Sequence, residues 1–310
     1  MAGFKLKSED IAEKTRNPKD SLEDSILKKI NNPIQKTVNK KVLISGENGT
    51  AKSSLSLELC TSVLNDDECI FYVDIDRSGL EIIGKFHEDE LNNRNIIPLI
   101  PYQTKTEKGA QVIDPQQTIY EISNIADVVR KITDPTITDE KYDFDKKIAA
   151  VIVDGMSFAL SYCEDFMREE AGISVDAGVK NNLWKIRADK FREITSAYMA
   201  LPLPVIFISH EDFIPEDVPA DKSFSLVKKS FINEISTRIT LTKEQSEQND
   251  AVINYIATVR KNRSDLNFED VEFAFMKRKM NKDSPDDIQV DIEKLLEVIF
   301  PNRQRSKKEK

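Results

Sequence analysis

The residues of this chain that are best suited to chemistry form a short segment of small and polar side chains. The segment consists of Gly46, Glu47, Asn48, Gly49, Thr50, Ala51, Lys52, Ser53 and Ser54. It directly follows a buried strand predicted over 41–45 and opens a helix predicted over 53–64. Consecutive backbone N–H groups at the start of a helix bind phosphate oxygens. The pattern therefore predicts a loop that cradles nucleotide phosphates, with ATP as the expected ligand.

Three side chains of this phosphate loop have separate predicted roles. Lys52 places a cation on the β- and γ-phosphates, Ser53 supplies a hydroxyl to Mg²⁺, and Ser54 contacts the α-phosphate. The loop departs from the usual motif at Ala51, because a glycine normally precedes the lysine. If the backbone there has a positive φ, alanine costs about 1 kcal/mol relative to glycine. We expect the loop to tolerate that cost.

Carboxylates follow two other predicted strands. The apolar run 148–153 ends at Asp154, which we assign as the acid that holds Mg²⁺ through water. A strand predicted over 69–73 is followed by Asp74 and Asp76. Because side chains alternate along a strand, both point to the same side. Either acid is therefore placed to polarise an attacking water, and the spacing alone leaves the choice between them open.

Apolar segments typical of strands alternate with amphipathic segments typical of helices. Further strands are predicted over 95–102 and 205–208, and further helices over 118–132 and 182–199. Short non-alternating strands interleaved with helices indicate a parallel sheet covered on both faces. Alternating segments at 238–242, 252–259 and 268–275 add antiparallel strands at one edge. The predicted fold class is therefore α/β, with a mainly parallel sheet.

Two appendages flank the predicted core of residues 38–275. Residues 1–37 are polar and contain a predicted helix over 21–30, which we interpret as an N-terminal arm. The other appendage, 276–310, combines a predicted helix over 288–299 with a basic tail.

Composition narrows the class of protein. The net charge of −9 argues against a uniformly basic nucleic-acid coat protein. No apolar stretch approaches the roughly 20 residues that span a bilayer, and no secretory signal is visible, so we expect a cytoplasmic protein without membrane contact. Cys60, Cys69 and Cys163 are widely spaced and odd in number, which favours reduced thiols. With only two histidines, a structural zinc site is not expected.

The order of these motifs resembles the RecA-, KaiC- and DnaB-like branch of P-loop ATPases, over roughly residues 38–275. That branch has no acid directly after the magnesium-binding acid, and here Gly155 follows Asp154. The resemblance implies a RecA-like core and assigns the catalytic acid to Asp76. The family usually has glutamate at that position, and aspartate is one methylene shorter, which puts the rate of hydrolysis in question.

The resemblance implies two further elements of the site. The strand 205–208 is expected beside the strand that precedes the phosphate loop, with Ser209 and His210 at its end sensing the γ-phosphate. The segment 259–263 resembles the Lys-x-Arg element of the family, so Lys261 and Arg263 are expected to contact the γ-phosphate bound by an adjacent subunit. This implies a homo-oligomer, either a ring or a filament.

Two functions fit these expectations. The first is an oligomeric ATPase that acts on DNA in recombination, annealing or translocation, because the stretch from Trp184 to Glu211 resembles phage and archaeal RecA-like proteins linked to single-stranded DNA. Candidate DNA contacts are the basic clusters at 40–41, 228–229, 260–263 and 277–279 and the basic tail, together with Phe224 and Phe231. The alternative is a KaiC-like nucleotide-dependent switch or assembly protein that regulates a protein partner without DNA. The shorter acid at Asp76 is compatible with the slow hydrolysis of such a switch.

Overall fold

The structure is a computed structural model that describes residues 40–174, 176–211, 229–246, 249–280, 287–301 and 303. The predicted N-terminal arm and its helix over 21–30 lie outside the described residues, as does nearly all of the basic tail. Among the described residues, no helix is long and apolar enough to cross a lipid bilayer.

Strands and helices alternate along most of the described chain. The strands are β1 (Lys41–Gly46), β2 (Glu68–Asp74), β3 (Ile96–Leu99), β4 (Thr104–Glu107), β5 (Ala110–Ile113), β6 (Lys147–Asp154), β7 (Val205–His210), β8 (Thr237–Ser246), β9 (Asn249–Asn262), β10 (Val271–Lys279) and β11 (Asp287–Val290). The α-helices are α1 (Lys52–Thr61), α2 (Gly79–Phe86), α3 (Glu88–Asn92), α4 (Pro115–Thr133), α5 (Met156–Glu170), α6 (Trp184–Met199), α7 (Lys229–Glu234) and α8 (Glu293–Ile299).

One large sheet organises these elements in the order β3-β2-β6-β7-β1-β8-β9-β10-β11. The strands from β3 to β8 run parallel to one another, and β8 to β11 pair antiparallel. This confirms the predicted α/β class with a mainly parallel sheet and antiparallel strands at one edge. The strand β7 pairs with β1, as expected for the strand that ends in Ser209 and His210.

Helices cover both faces of the parallel strands. On the α1 face, the buried side chains include Ile44, Leu55, Ile83 and Leu296 from β1, α1, α2 and α8. On the opposite α5 face, they include Leu43, Ile122, Ala159 and Ile194 from β1, α4, α5 and α6. Because β1, β6 and β7 bury side chains on both faces, their sequences are continuous apolar runs without polar alternation.

The structure corrects one predicted element and adds others. The helix predicted over 288–299 is wrong in its first half, because 287–290 form β11, which pairs with β10 and leaves only Glu293–Ile299 helical. Pairing with a neighbouring strand outweighs the local helical spacing there. The sequence patterns predict no element over 79–92 or 104–113, where the chain forms α2, α3 and the β4–β5 hairpin.

Candidate active site

The loop between β1 and α1 contains two residues with left-handed backbone. Gly49 has a φ of +75°, and Ala51 has a φ of 62° and a ψ of 29°. Alternation of left-handed and right-handed residues makes successive N–H groups form a concavity that binds anions. Ala51 therefore does have the positive φ considered in the sequence analysis. Glycine would adopt this left-handed conformation at a lower free-energy cost than alanine.

The side chain of Lys52 lies against its own loop. Its Nζ donates to the carbonyl oxygens of Gly46 at 3.0 Å and Glu47 at 2.7 Å, and only 6% of the residue is exposed. Burial lowers the pKa of Lys52, and the carboxylates of Asp154 and Asp76 oppose that shift. The loop lysine is thus a buried cation that faces acids from two other strands.

Asp154, at the end of β6, meets the first turn of α1 and the strand β2. Its Oδ2 accepts a hydrogen bond from Ser53 Oγ at 2.5 Å and another from the hydroxyl of Tyr72. The carboxylate is only 1% exposed, and burial together with the charge of Asp76 raises the pKa of Asp154 to about 7. Tyr72 is a site residue that the sequence reasoning missed, because it lies inside an apolar strand and carries no motif.

The pair Ser53 and Asp154 fits a magnesium ion. Both side chains offer hard oxygen ligands, and a cation would offset the cost of burying the carboxylate. Within the described ranges, no group of three or more His, Cys, Asp or Glu side chains could hold a metal. Mg²⁺ usually keeps several waters and takes only one or two ligands from a protein.

The two acids after β2 occupy different surroundings. Asp74 is 1% exposed, its Oδ2 accepts from the backbone N–H of Gly79 at 3.1 Å, and burial raises its pKa. Its Oδ1 is buried without a hydrogen-bond partner among the described residues. Asp76 is half-buried, accepts from the N–H and the Oγ of Ser78 at 2.9 and 2.7 Å, and acts electrostatically on Lys52. The charge of Asp76 therefore opposes the lowering of the pKa of Lys52, and Asp76 is the more exposed of the two acids.

The residue after Asp154 is held close to this acid. Gly155 has a φ of +103°, and a Cβ added there would lie 2.9 Å from the backbone nitrogen of Asp76. Ile75 also donates its N–H to the carbonyl of Asp154 at 2.9 Å. The ends of β2 and β6 are thus in backbone contact, which fixes the position of Asp76.

The end of β7 brings Ser209 and His210 to the same edge of the sheet. His210 lies opposite Gly46 in the register of β7 with β1. Its Nδ1 is buried without a hydrogen-bond partner in the described part of the chain, and its ring meets Phe158 edge-on at 5.8 Å. Burial lowers the pKa of His210, and the ammonium of Lys52 lowers it further. Ser209 is buried, and its Oγ donates to the carbonyl of His210 at 3.2 Å.

A further acid at this edge, Glu211, was not predicted as a site residue. Its Oε1 accepts from Ser45 Oγ at 2.5 Å and lies 3.0 Å from Arg238 NH2. The charge of Glu211 raises the pKa of Lys52. The available signal was the one that identified Asp154, namely an acid that follows a buried strand.

Lys261 and Arg263 lie away from the loop of their own chain. Strand register places Lys261 opposite Arg238, and Arg238 opposite Leu43 in the first half of β1, whereas the loop follows the end of β1. Lys261 Nζ donates to the carbonyls of Ile232 and Asn233 at 3.2 and 3.1 Å, and Arg263 donates to Asn233 at 2.5 Å. Both cations therefore contact the end of α7.

Several candidate DNA contacts are wrong. Lys40 and Lys41 are only 2% and 7% exposed, and Phe231 is 2% exposed and packs against the rings of Phe191 and Phe207. None of these three side chains is available to a nucleic acid, because each is buried in the interior of the protein. Phe224, Lys228 and the side chain of Lys229 lie outside the described residues.

A cavity of about 790 Å³ opens beside the phosphate loop. Gly49, Ala51 and Ser54 form its boundary on the loop side. Its other walls are mainly apolar and aromatic, contributed by Leu55, Phe86, Tyr255, Phe275, Met276, Ile288 and Val290, with Glu58, Lys85, His87 and Arg278 as the polar contacts. Ligand sites commonly have this size and this balance of apolar walls with few polar groups.

Comparisons with known proteins add little to this geometry. No protein-family model matches the chain, and no curated protein matches it. Among solved structures, the chain is similar to an uncharacterized protein, PH0321, from Pyrococcus horikoshii, which was crystallised in complex with an unknown peptide. The two chains share 11% identity with a TM-score of 0.41, over 86% of this chain and 97% of that one. A likeness of this degree carries no argument about function, which therefore rests on the site itself.

Proposed function

We propose that the chain is a RecA-like ATPase that binds ATP with Mg²⁺ and hydrolyses it. The observation that carries this proposal is the meeting of Ser53 with Asp154 at 2.5 Å, directly beside Lys52 at the start of α1. The strand order supports it, because the loop follows β1 while the acids follow β6 and β2 in the same parallel sheet. Ligands of open α/β sheets bind at the carboxyl ends of the strands.

Each part of the nucleotide has a place in this proposal. The triphosphate lies on the loop, where Lys52 exchanges its two carbonyl partners for phosphate oxygens, since bonds between charged groups are the stronger ones. The cavity beside Gly49 and Ala51 takes the nucleoside. Ser53 and Asp154 hold the magnesium ion, which neutralises charge on the phosphates.

Asp76 is the proposed general base. It accepts a proton from the water that attacks the γ-phosphorus, the bond from that phosphorus to the bridging oxygen breaks, and ADP and phosphate leave. Its half-buried position next to the charge of Lys52 keeps the carboxylate within range of the phosphates.

The direct test removes the loop cation. Lys52→Ala should abolish nucleotide binding or turnover, measured by equilibrium binding of ATP with Mg²⁺ and by phosphate release. Lys190→Ala is a matched control, because Lys190 lies on the surface of α6 and pairs with Glu193. Normal hydrolysis by Lys52→Ala would sink the proposal.

We further propose that Lys261 and Arg263 serve the site of a neighbouring subunit in a homo-oligomer. Their hydrogen bonds go to the end of α7 and not to the loop of their own chain, which supports a role in trans. Mixing Arg263→Ala with Asp76→Ala subunits should then restore part of the activity, because some interfaces combine an intact acid with an intact arginine. No recovery at any mixing ratio, with both variants still assembling, would contradict the trans role.

The proposed client is single-stranded DNA. Lys277 and Lys279 on β10, together with Arg260 on β9, are described candidates for phosphate contacts. Phosphate contacts release counterions, so binding should weaken steeply as salt is raised. A titration of ATP-loaded protein with single-stranded DNA at several salt concentrations measures this. No binding at low salt would favour the alternative, a nucleotide-dependent switch with a protein partner.

A further inference from the structure

The buried tyrosine on β2 has no role in the function proposed above. We propose that Tyr72 is a positioning residue, whose hydroxyl fixes the orientation of the Asp154 carboxylate that holds the magnesium ion. This inference rests on the proposed function, because it concerns the metal requirement of the same site. It assigns to Tyr72 no contact with the nucleotide or with the reacting atoms.

The hydrogen bond of Tyr72 crosses from one strand to the next. In the register of β2 with β6, Tyr72 lies opposite Ile152 and Asp74 lies opposite Asp154. The phenol therefore reaches diagonally along the sheet and donates to Asp154 Oδ2. The residue is fully buried, so no water competes for this bond. Ser53 donates to the same oxygen.

The ring of Tyr72 is held in place by the start of α2. A Cβ added to Gly79 would lie 2.1 Å from Tyr72 Cε1 and 2.7 Å from its hydroxyl oxygen. Any residue larger than glycine there would displace the ring from its present position. Gly79 is itself fixed, because its N–H donates to Asp74 Oδ2 at 3.1 Å. The tyrosine hydroxyl is thus positioned from both sides, by the helix behind it and by the carboxylate in front.

The two donors on Asp154 have different fates when metal binds. Ser53 is itself a proposed ligand, so the ion would draw on its hydroxyl oxygen. Tyr72 is not a ligand, and it keeps its bond to the carboxylate in both states. Groups that orient metal ligands in this way typically contribute 10- to 100-fold to metal affinity. The effect should therefore appear in the dependence on Mg²⁺, while metal-free nucleotide binding stays the same.

Tyr72→Phe tests this directly, because it removes the hydroxyl and keeps the ring that packs against Gly79. The half-saturating Mg²⁺ concentration for ATP hydrolysis should rise about tenfold. Nucleotide affinity in the presence of a chelator should stay at the wild-type value. Tyr198→Phe is the matched control, since Tyr198 is also fully buried and its hydroxyl donates to the carbonyl of Ile122 at 2.8 Å on the α5 face.

Melting temperatures of the two variants separate positioning from simple loss of a buried bond. Both variants should lose similar stability, and only Tyr72→Phe should change its Mg²⁺ requirement. A wild-type Mg²⁺ requirement in a Tyr72→Phe protein that still hydrolyses ATP would overturn the inference. An equal shift in Tyr198→Phe would also overturn it. Failure of the proposed function is a different result, in which the unaltered protein binds no nucleotide at any Mg²⁺ concentration.

Discussion

Buried groups of opposite charge lie at the two edges of the parallel sheet: acids at the carboxyl edge and lysines at the amino edge. At the carboxyl edge, where β1, β2, β6 and β7 end, Asp74 and Asp154 are buried acids whose partners include hydroxyl and backbone N–H groups. At the amino edge, where the same strands begin, Lys41 donates to the carbonyls of Leu201 and Leu203 at 2.8 and 2.7 Å. Lys40 donates to the carbonyl of Val298 in α8.

The lysines at the amino edge make purely structural hydrogen bonds, whereas the lysine at the carboxyl edge lies in a loop suited to bind an anion. Each amino-edge lysine satisfies carbonyls that would otherwise be orphaned near the end of a helix, and such bonds are structural. Lys52 makes the same type of bond at the carboxyl edge, but to the carbonyls of a loop whose geometry suits an anion. Under the proposed function, this lysine-to-carbonyl contact stays in place at the amino edge and is exchanged for phosphate oxygens at the carboxyl edge. The position of the lysine in the sheet determines which of these two roles its contact has.

The largest expected effect separates the two acids after β2. Asp76→Asn should lower ATP hydrolysis about 100-fold or more, because a general base typically contributes 10²- to 10⁴-fold. Nucleotide binding should persist. Asp74→Asn should change hydrolysis less, since Asp74 contacts Gly79 at the start of α2 and acts on the site only through its interaction with Asp76. Steady-state phosphate release measures both variants, and a larger loss in Asp74→Asn would reverse the assignment.

The next expected effect is a pH-dependent change in the free energy of unfolding, caused by Lys41 at the amino edge. Burial lowers the pKa of Lys41 from 10.5 to about 8. Between these values the unfolded chain holds the proton and the folded chain releases it, so the contribution of Lys41 to stability rises with pH. Below about pH 8 both states are protonated, and that contribution is constant.

Lys41→Met removes this titration. The free energy of unfolding of the wild type, minus that of the variant, should therefore increase from pH 8 towards pH 10, because all other titrating groups cancel in the difference. Urea unfolding at several pH values measures it. Lys190→Met, on α6, provides the control for loss of a lysine that pairs with Glu193 at 2.9 Å. A flat or falling difference for Lys41→Met would show that the amino-edge lysine is not buried as described.

The smallest expected effect lies in the loop itself. Ala51→Gly should stabilise the protein by up to about 1 kcal/mol, because glycine adopts a left-handed backbone without a steric cost. Ala188→Gly, in the interior of α6, should destabilise it by about 0.5–1 kcal/mol. Thermal melting compares the two. A loss of stability in Ala51→Gly would mean that the left-handed turn is not strained.

The sequence predicts which residues lie at the carboxyl edge better than it predicts which side chains hydrogen-bond to them. Buried apolar runs that end in polar residues indicate Asp154, the pair Asp74 and Asp76, and the loop, because strand ends and helix starts leave a local pattern. The bonds of Tyr72 to Asp154 and of Glu211 to Arg238 depend on which strands are neighbours, and that order has no local signature. The same limit explains the error at 287–290, where pairing with β10 outweighs a helical spacing.

The contact between Gly155 and the backbone of Asp76 has a consequence for how such a site can change. Position 155 is the place where an acid could stand beside Asp154, yet any side chain there would collide with the backbone that presents Asp76. The two possible locations of a base therefore exclude each other. If Asp76 is the base, as proposed, substituting Gly155 alone should not add a second acid after β6 without displacing Asp76. The backbone contact between the ends of β2 and β6 would have to change first, and that change would also move Asp76.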